Sequence, residues 1–305
     1  MTDFWQYGIM TGEYFPVRGK EKRGGEELVE YRCFQGLDMG EITRCMNRVF
    51  SDYPVPIRLT RRQVQGLFYV NGVDLELSWG AFSQGEMIGF IINARGIYQG
   101  EAAAFDMGTG VVPEHRGKGV FSGLFSRVLQ ALREKQVEKY YLEVLQQNER
   151  AMGAYRRKGF AVTREFGVFQ PGQRPPRPGS RIHTADLSGF DWGSAAGCSR
   201  VNPSFEHSDF VVGLHPEEYS VAFHQESGGT DAYCVFAKGS GRIVQLGYEN
   251  PEQMGEVIRW LLWQYETVTA KNIDRDCPVL LNLLPRLGFS ETVRQFEMVK
   301  DPRRV

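Results

Sequence analysis

The chain has 305 residues, with 36 Lys and Arg against 37 Asp and Glu, and a formal net charge of −1. That length exceeds a typical single domain and suits two, while the near-neutral balance without a basic block argues against nucleic acid as a partner. Cys33, Cys45, Cys198, Cys234 and Cys277 are widely spread without a Cys-x-x-Cys pair, and the five His stand singly, so neither a disulfide framework nor a metal site is expected and free thiols in a reducing cytoplasm are.

The opening MTDFWQYGIMTGEYF has no basic start and no apolar core, so it is not read as a secretory leader, and no apolar run in the chain is long enough to span a membrane. Residues 1–27 read as an N-terminal arm, aromatic and then charged and Gly-rich. Regular patterning begins at Leu28. LVEYRCFQG predicts a strand. LDMGEITRCMNRVFSDY and LTRRQVQGLFYVNG predict two helices, the first with Asp38 near its start and the second stopped by Asn71-Gly72. LELSWGAFSQGEMIGFIINARG predicts two strands joined at Ser83-Gln84-Gly85, and EAAAFDMGTGVV a strand interrupted by glycines. GVFSGLFSRVLQALREK predicts a strong amphipathic helix, KYYLEVL a strand, NERAMGAYRRKG a short helix and FAVTREFGVFQ a last strand.

The segment PGQRPPRPGSR, residues 171–181, cannot continue a helix or a central strand and reads as a linker. It divides a first domain, 28–170, from a second half, 182–305. That half is irregular to about Ala222. Then AYCVFAKG and RIVQLGYE predict strands, PEQMGEVIRWLLWQYE a helix, TVTAKNI a strand, PVLLNLLPRLG a helix and ETVRQFEMV a strand. This repeats the closing order of the first domain, and NERAMGAYRRKGF can be laid against CPVLLNLLPRLGF at equal length.

The segment that carries chemistry is VVPEHRGKGVFSGLF. A strand ends at Val112, a loop of Arg116, Gly117, Lys118 and Gly119 follows, and then a helix begins. Such a loop aims backbone N–H groups at one point, backed by the positive end of the helix. Gly117 and Gly119 permit unusual dihedrals and close ligand approach, and Arg116 and Lys118 add charge. Together they read as a pyrophosphate site. The loop has neither the Gly-x-x-x-x-Gly-Lys-Ser/Thr pattern nor the third glycine of a dinucleotide fingerprint.

Arg116-Gly117-Lys118-Gly119-Val120-Phe121, preceded by Val-x-Pro-Glu, resembles the acyl-CoA signature of the GNAT acyltransferase superfamily, Arg/Gln-x-x-Gly-x-Gly/Ala. LEVLQQNERAMGAYRRKGF resembles that family's fifth strand and fourth helix, with Asn148, Ala151, Tyr155, Gly159 and Phe160 in register. The match extends over residues 28 to 170. It departs at Phe121, where the family usually has Gly or Ala, so the bulky ring must turn toward the core or narrow the channel.

The resemblance implies an α/β (α+β) fold with a mixed central sheet flanked by helices, followed by a second, degenerate GNAT-like half. It implies direct transfer from acetyl-CoA, without a metal, to an amine of a small molecule or of a protein. Backbone groups of Val111 and Val112 would hold the pantetheine arm, and an N–H there would meet the oxyanion. Val120, Phe121 and the preceding loop would cradle the phosphates. Asn148 would bond the pantetheine or cap its helix. Tyr155 stands at the place of the family's general acid, and Glu143 is the leading base, with Asp106 the alternate. As strand residues, both carboxylates have the competing reading of solvated side chains. The amine acceptor of Lys type needs a base because its ordinary pKa is about 10.4. No Cys lies in either motif, so a covalent acyl-enzyme is not expected. A third reading is an acyl-CoA-binding regulatory module without turnover, which Phe121 alone supports. In the second half no Arg-x-x-Gly precedes the equivalent helix, Glu249 and Glu252 stand near it, and Leu284 and Cys277 replace Tyr155 and Asn148; that half is expected neither to bind CoA nor to catalyse.

Overall fold

The computed structural model describes residues 28–52, 58–172, 175–179, 181–226 and 228–304. The expected N-terminal arm, 1–27, lies outside the described residues. The described chain forms two compact units. One runs from 28 to 162 and is completed by 297–304; the other is built from 163–296. The division falls between Val162 and Thr163, earlier than the Pro- and Gly-rich stretch that suggested a boundary.

The first unit opens with strand β1 (Glu30–Cys33), helices α1 (Met39–Val49) and α2 (Arg61–Val70), and strands β2 (Trp79–Ser83), β3 (Glu86–Tyr98) and β4 (Glu101–Val111). Helix α3 (Val120–Glu134), strand β5 (Lys139–Leu145) and helix α4 (Glu149–Arg157) follow. Asp38 caps α1 by accepting from the Gly40 and Glu41 amides, and Thr60 with Gln63 closes a capping box on α2. Between β2 and β3 the turn is two residues, Gln84 and Gly85, both with positive φ (51° and 81°). This is the mirror-image turn whose twist matches a tight hairpin. The strand order is β1-β2-β3-β4-β5, antiparallel until the parallel β4–β5 pair, with the chain's last strand beside β5. Val120, Leu124, Val128 and Leu132 recur along one face of α3 and are all buried, which is the amphipathic stripe that seats the helix on the sheet.

The second unit takes up β6 (Ala161–Pro171) from Thr163 onward, then β7 (His183–Asp186), β8 (Ser199–Arg200), α5 (Asp209–Leu214), β9 (Tyr219–Glu226), β10 (Gly229–Ala237), β11 (Ile243–Tyr248), α6 (Pro251–Gln264), β12 (Ala270–Asp274), α7 (Pro278–Arg286) and β13 (Phe289–Lys300) as far as Phe296. Its strand order is β6-β12-β11-β10-β9-β7, with β8 on β11. Met254, Val257, Ile258 and Leu261 of α6 lie in one buried cluster with Leu280 and Leu284 of α7 and Ala270 and Ile273 of β12. Trp260 and Tyr265 are packed against this cluster, as bulky residues on an amphipathic helix usually are. The stretch before Ala222, irregular in the sequence reading, contains β7, β8, α5 and the start of β9, and β7 pairs with β9 from His183–Phe223 to Asp186–Ser220.

Among the described residues, no helix is long and apolar enough to cross a membrane, and all five cysteines are free.

Candidate active site

The site begins with an irregularity in β4. In its register against β3, Ile92 faces Gly108 and Asn93 faces Asp106, so Met107 is an extra, bulged residue. A bulge bends a strand and raises its twist. On the opposite edge β4 pairs with β5 from Ala103–Lys139 only to Asp106–Leu142, although β4 runs on to Val111. Beyond Asp106 the two parallel strands part.

Among the described residues, the parting leaves one edge of β4 without a neighbouring strand. The Val112 N–H donates to the Ile88 carbonyl at 2.9 Å. By the alternation of an antiparallel ladder, the Val111 N–H and C=O then turn away from β3, toward the side that β5 has left. Of the two backbone groups expected to face a ligand, Val111 does so and Val112 does not; its donor is already spent.

After β4 a single tight turn, Pro113–His115, leads to the glycine loop. Gly117 and Gly119 have φ of +77° and +83°, a region costly to side chains. A Cβ on either would meet nothing within 4 Å, so it is the backbone angle, not crowding by the protein, that calls for glycine. Gly119 begins α3 with no side-chain cap. The N–H groups of Val120, Phe121 and Ser122 therefore have no partner within the helix, and the positive end of the helix dipole lies behind them.

These groups line a cleft of about 340 Å3. Its walls are Thr109, Gly110 and Val111 of β4, the loop from His115 through Ser122 apart from Lys118, Asn148 and Tyr155 with their helix, and Val49 and Phe50 at the end of α1. Lys118 is exposed, outside the lining. Arg116 turns its guanidinium back toward the protein. Nε donates to the Val111 carbonyl at 2.9 Å and Nη2 to the Val49 carbonyl at 3.0 Å. Asp52 accepts from Nη1 at 2.5 Å and from Nη2 at 3.1 Å. This corrects the expectation that its charge points at a pyrophosphate.

Asn148 caps α4 by accepting from the Ala151 amide at 3.0 Å while also lining the cleft. Tyr155 is buried except for its share of the cleft wall. Its ring meets Phe121 and Phe160 edge-on, at 5.9 Å and 5.5 Å between centroids. Phe121 thus lies against Tyr155 and Phe125, and the cleft stays open beside it.

The Tyr155 hydroxyl donates to Asp106 Oδ2 at 3.2 Å. Asp106 also accepts the Thr109 hydroxyl at 2.7 Å and the Gly108 amide at 3.1 Å. It is only 2% exposed, which corrects its reading as a solvated strand residue. Burial pushes its carboxyl up to about 7, against the opposing pull of those three hydrogen bonds. Glu143 is also buried, 6% exposed, and not solvated. Along β5 the Tyr140 ring meets Phe125 and Phe160, on the side of α3 and α4. Glu143 has the opposite strand parity and so faces the other side; it is not part of the cleft lining. The structure therefore brings Tyr155 together with Asp106, and not with Glu143.

The sequence reading missed His115, Arg150 and Arg157, which add basic groups to the lining. A signal existed: Arg150, Ala154 and Arg157 are spaced i, i+4, i+7 and share one helix face. Among the described residues there is no group of three or more His, Cys, Asp or Glu that could hold a metal ion.

Residues 42–160 match the model of the Acetyltransferase (GNAT) family. Solved structures resemble the chain over nearly its whole length. A GCN5-related N-acetyltransferase from Sphaerobacter thermophilus is 16% identical, with a TM-score of 0.61, covering 90% of this chain and 96% of that one. A tandem GNAT protein from the clavulanic acid biosynthesis pathway is 14% identical, with a TM-score of 0.60, covering 91% and 100%. A GCN5-related glucosamine N-acetyltransferase region of a fungal multi-domain GH3 β-N-acetylglucosaminidase is 16% identical, with a TM-score of 0.63, covering 93% of this chain and 39% of that one. No curated protein matches the chain.

Proposed function

We propose that this chain, which has the tandem GNAT fold and whose residues 42–160 form an acetyltransferase (GNAT) domain, is an acetyl-CoA-dependent N-acetyltransferase acting on the amine of a small molecule. The observation that carries the proposal is the coincidence, in one cleft, of an unpaired β4 edge, a glycine cradle at a helix N-terminus and the Tyr155 hydroxyl.

The residues present fit the co-substrate. The amides of Val120, Phe121 and Ser122, with Arg150, Arg157 and His115 near by, suit a phosphorylated nucleotide. Asn148 and the Val111 edge suit the amide-bearing pantetheine arm. The Val111 N–H is placed to stabilise the carbonyl oxygen as negative charge gathers on it. Tyr155 gives its proton to the departing sulfur. Asp106, like Glu143, is not itself part of the lining, but it accepts hydrogen bonds from Tyr155 and Thr109, which are, and through them it can take up the proton lost by the amine and return one to Tyr155. A small-molecule acceptor is supported by one structural neighbour, a GCN5-related glucosamine N-acetyltransferase region. A non-catalytic module is less well supported, because the Phe121 ring leaves the cleft open.

The test is acetyl-CoA binding by calorimetry, followed by an amine panel. Wild type should bind, and Gly119→Asp should weaken binding on the order of a hundred-fold, since it strains the loop and sets a carboxylate against the phosphates. Well-folded wild-type protein that binds no acetyl-CoA would remove the proposal.

A further inference from the structure

We propose that Arg116 acts as a strut between β4 and α1 and not as a phosphate ligand; the proposal rests on the reading of the cleft as the acyl-CoA site. Where β4 leaves β5 the sheet pays for an open gap with orphaned backbone groups. The Val111 carbonyl is one of them, and the Arg116 Nε–H satisfies it at 2.9 Å. The same guanidinium reaches the Val49 carbonyl at the last residue of α1 and binds Asp52 just beyond it through both terminal nitrogens. One bond from Nε, one from Nη1 and two from Nη2 commit four of the five N–H groups that an arginine owns.

The strut has a second face. A Cβ placed on Gly110 would stand 2.2 Å from Val49 Cγ1, so the end of α1 rests directly on the strand residue next to Val111. Arg116 and that packing act on the same two elements. With the carbonyl of Val111 held by Arg116, the strand end is fixed with its N–H toward the gap. The positive charge of Arg116 is meanwhile matched by Asp52, leaving the anion to the α3 amides. Arg116 is thus a positioning residue for the Val111 donor.

Asp52→Asn gives the two roles opposite signs. If Arg116 bound phosphate, removing its carboxylate partner would free the cation and tighten acetyl-CoA. If Arg116 is a strut, the same change loosens the strut and weakens binding. The experiment compares wild type, Asp52→Asn, Arg116→Lys and Arg116→Ala in binding acetyl-CoA and acetylpantetheine, which lacks the nucleotide phosphates. The strut predicts that Asp52→Asn weakens both thioesters, that Arg116→Ala weakens both by a similar factor of about ten or more, and that Arg116→Lys rescues little, because a point charge cannot reproduce the fork. Tighter acetyl-CoA binding by Asp52→Asn, or a loss in Arg116→Ala confined to acetyl-CoA, would overturn it. Hydrogen exchange at the Val112 amide supplies a ligand-free readout: faster exchange in Asp52→Asn supports the strut, and unchanged exchange in both Asp52→Asn and Arg116→Ala counts against it. If wild type bound neither thioester, the cofactor reading would fail, while the exchange data would still decide the strut.

Discussion

The two units treat the same structural problem differently: each has a pair of parallel strands that part. In the first, β4 and β5 stay paired to Asp106–Leu142 and then open onto the cleft. In the second, β11 and β12 are in register only at Ile243–Ala270. There the chain fills its own gap. One edge of β11 is taken by β10, so β8 pairs on the edge that also carries β12, with Arg200 opposite Gly247 and Ser199 opposite Tyr248. The Val201 amide continues the ladder to the Leu246 carbonyl at 2.9 Å. From the β12 side, Asn272 donates to the Ser204 hydroxyl at 3.1 Å, and Lys271 pairs with Glu206. The segment from Ser199 to Glu206 thus occupies a place like that proposed for the pantetheine arm in the first unit. A splayed sheet leaves backbone groups that something must satisfy, and a ligand and a loop are two answers to that demand.

The helix that follows each opening differs in the same sense. Gly119 leaves the first amides of α3 uncommitted. On α6, Pro251 has no N–H to offer and Asn250 takes the Glu252 amide at 2.9 Å. Farther on, Asn148 caps α4, whereas Cys277 makes no side-chain cap on α7. Tyr155 reaches a buried carboxylate, whereas Leu284 is fully buried in the core.

The contrast is most exposed to failure in turnover. Tyr155→Phe should lower kcat by about 10²- to 10⁴-fold with little change in acetyl-CoA affinity, while loss of affinity without loss of kcat would make Tyr155 a wall residue only. Next in size is the cost of disturbing the filled gap. Glu206→Gln takes the carboxylate away from the buried Lys271 ammonium and should cost about 2 kcal/mol in denaturant unfolding; a neutral result would mean that the segment is not held there.

Acidity gives a third test. The Asp106 carboxyl is raised from 3.8 to about 7, so the folded state holds that proton more tightly than the unfolded chain does. Its contribution to stability is complete below about 3.8 and is lost as pH rises through about 7. Asp106→Asn should flatten that part of the melting-temperature profile against pH. If Asp106 is the base, kcat/KM should also rise with pH through about 7, a limb absent from the variant; an unchanged limb would assign the base elsewhere. The smallest effect belongs to the cap: Asn148→Ala should cost about 1 kcal/mol of stability, with an added loss of acetyl-CoA affinity only if Asn148 also touches the arm.

Much of the fold was legible because its helices bury one face. The α3 stripe, the Ser83–Gly85 turn and the Arg116–Gly119 loop are local patterns, and local patterns survive in a sequence. What was not legible depends on partners far along the chain. The burial of Asp106 depends on a bulge at Met107 and on a hydroxyl 49 residues away. Nothing in PEHRGKG tells whether Arg116 faces a ligand or Asp52, because Asp52 lies 64 positions earlier. The filler of the second gap was invisible for the same reason: SRVNPSFE has no periodicity, and its hydrogen bonds go to strands that come later.

The end of β13 carries a consequence for synthesis. Residues 297–304 belong to the unit with the cleft, where Glu297 accepts from the Tyr98 hydroxyl at 3.2 Å and the Pro302 carbonyl from Arg133 at 2.6 Å. They are translated after all of residues 163–296. A nascent chain that has passed Val162 therefore carries every cleft-lining residue and still lacks the strand beside β5. The unit made first is the one finished last, and until then its open β5 edge is a surface for a chaperone, or for a wrong strand, to find.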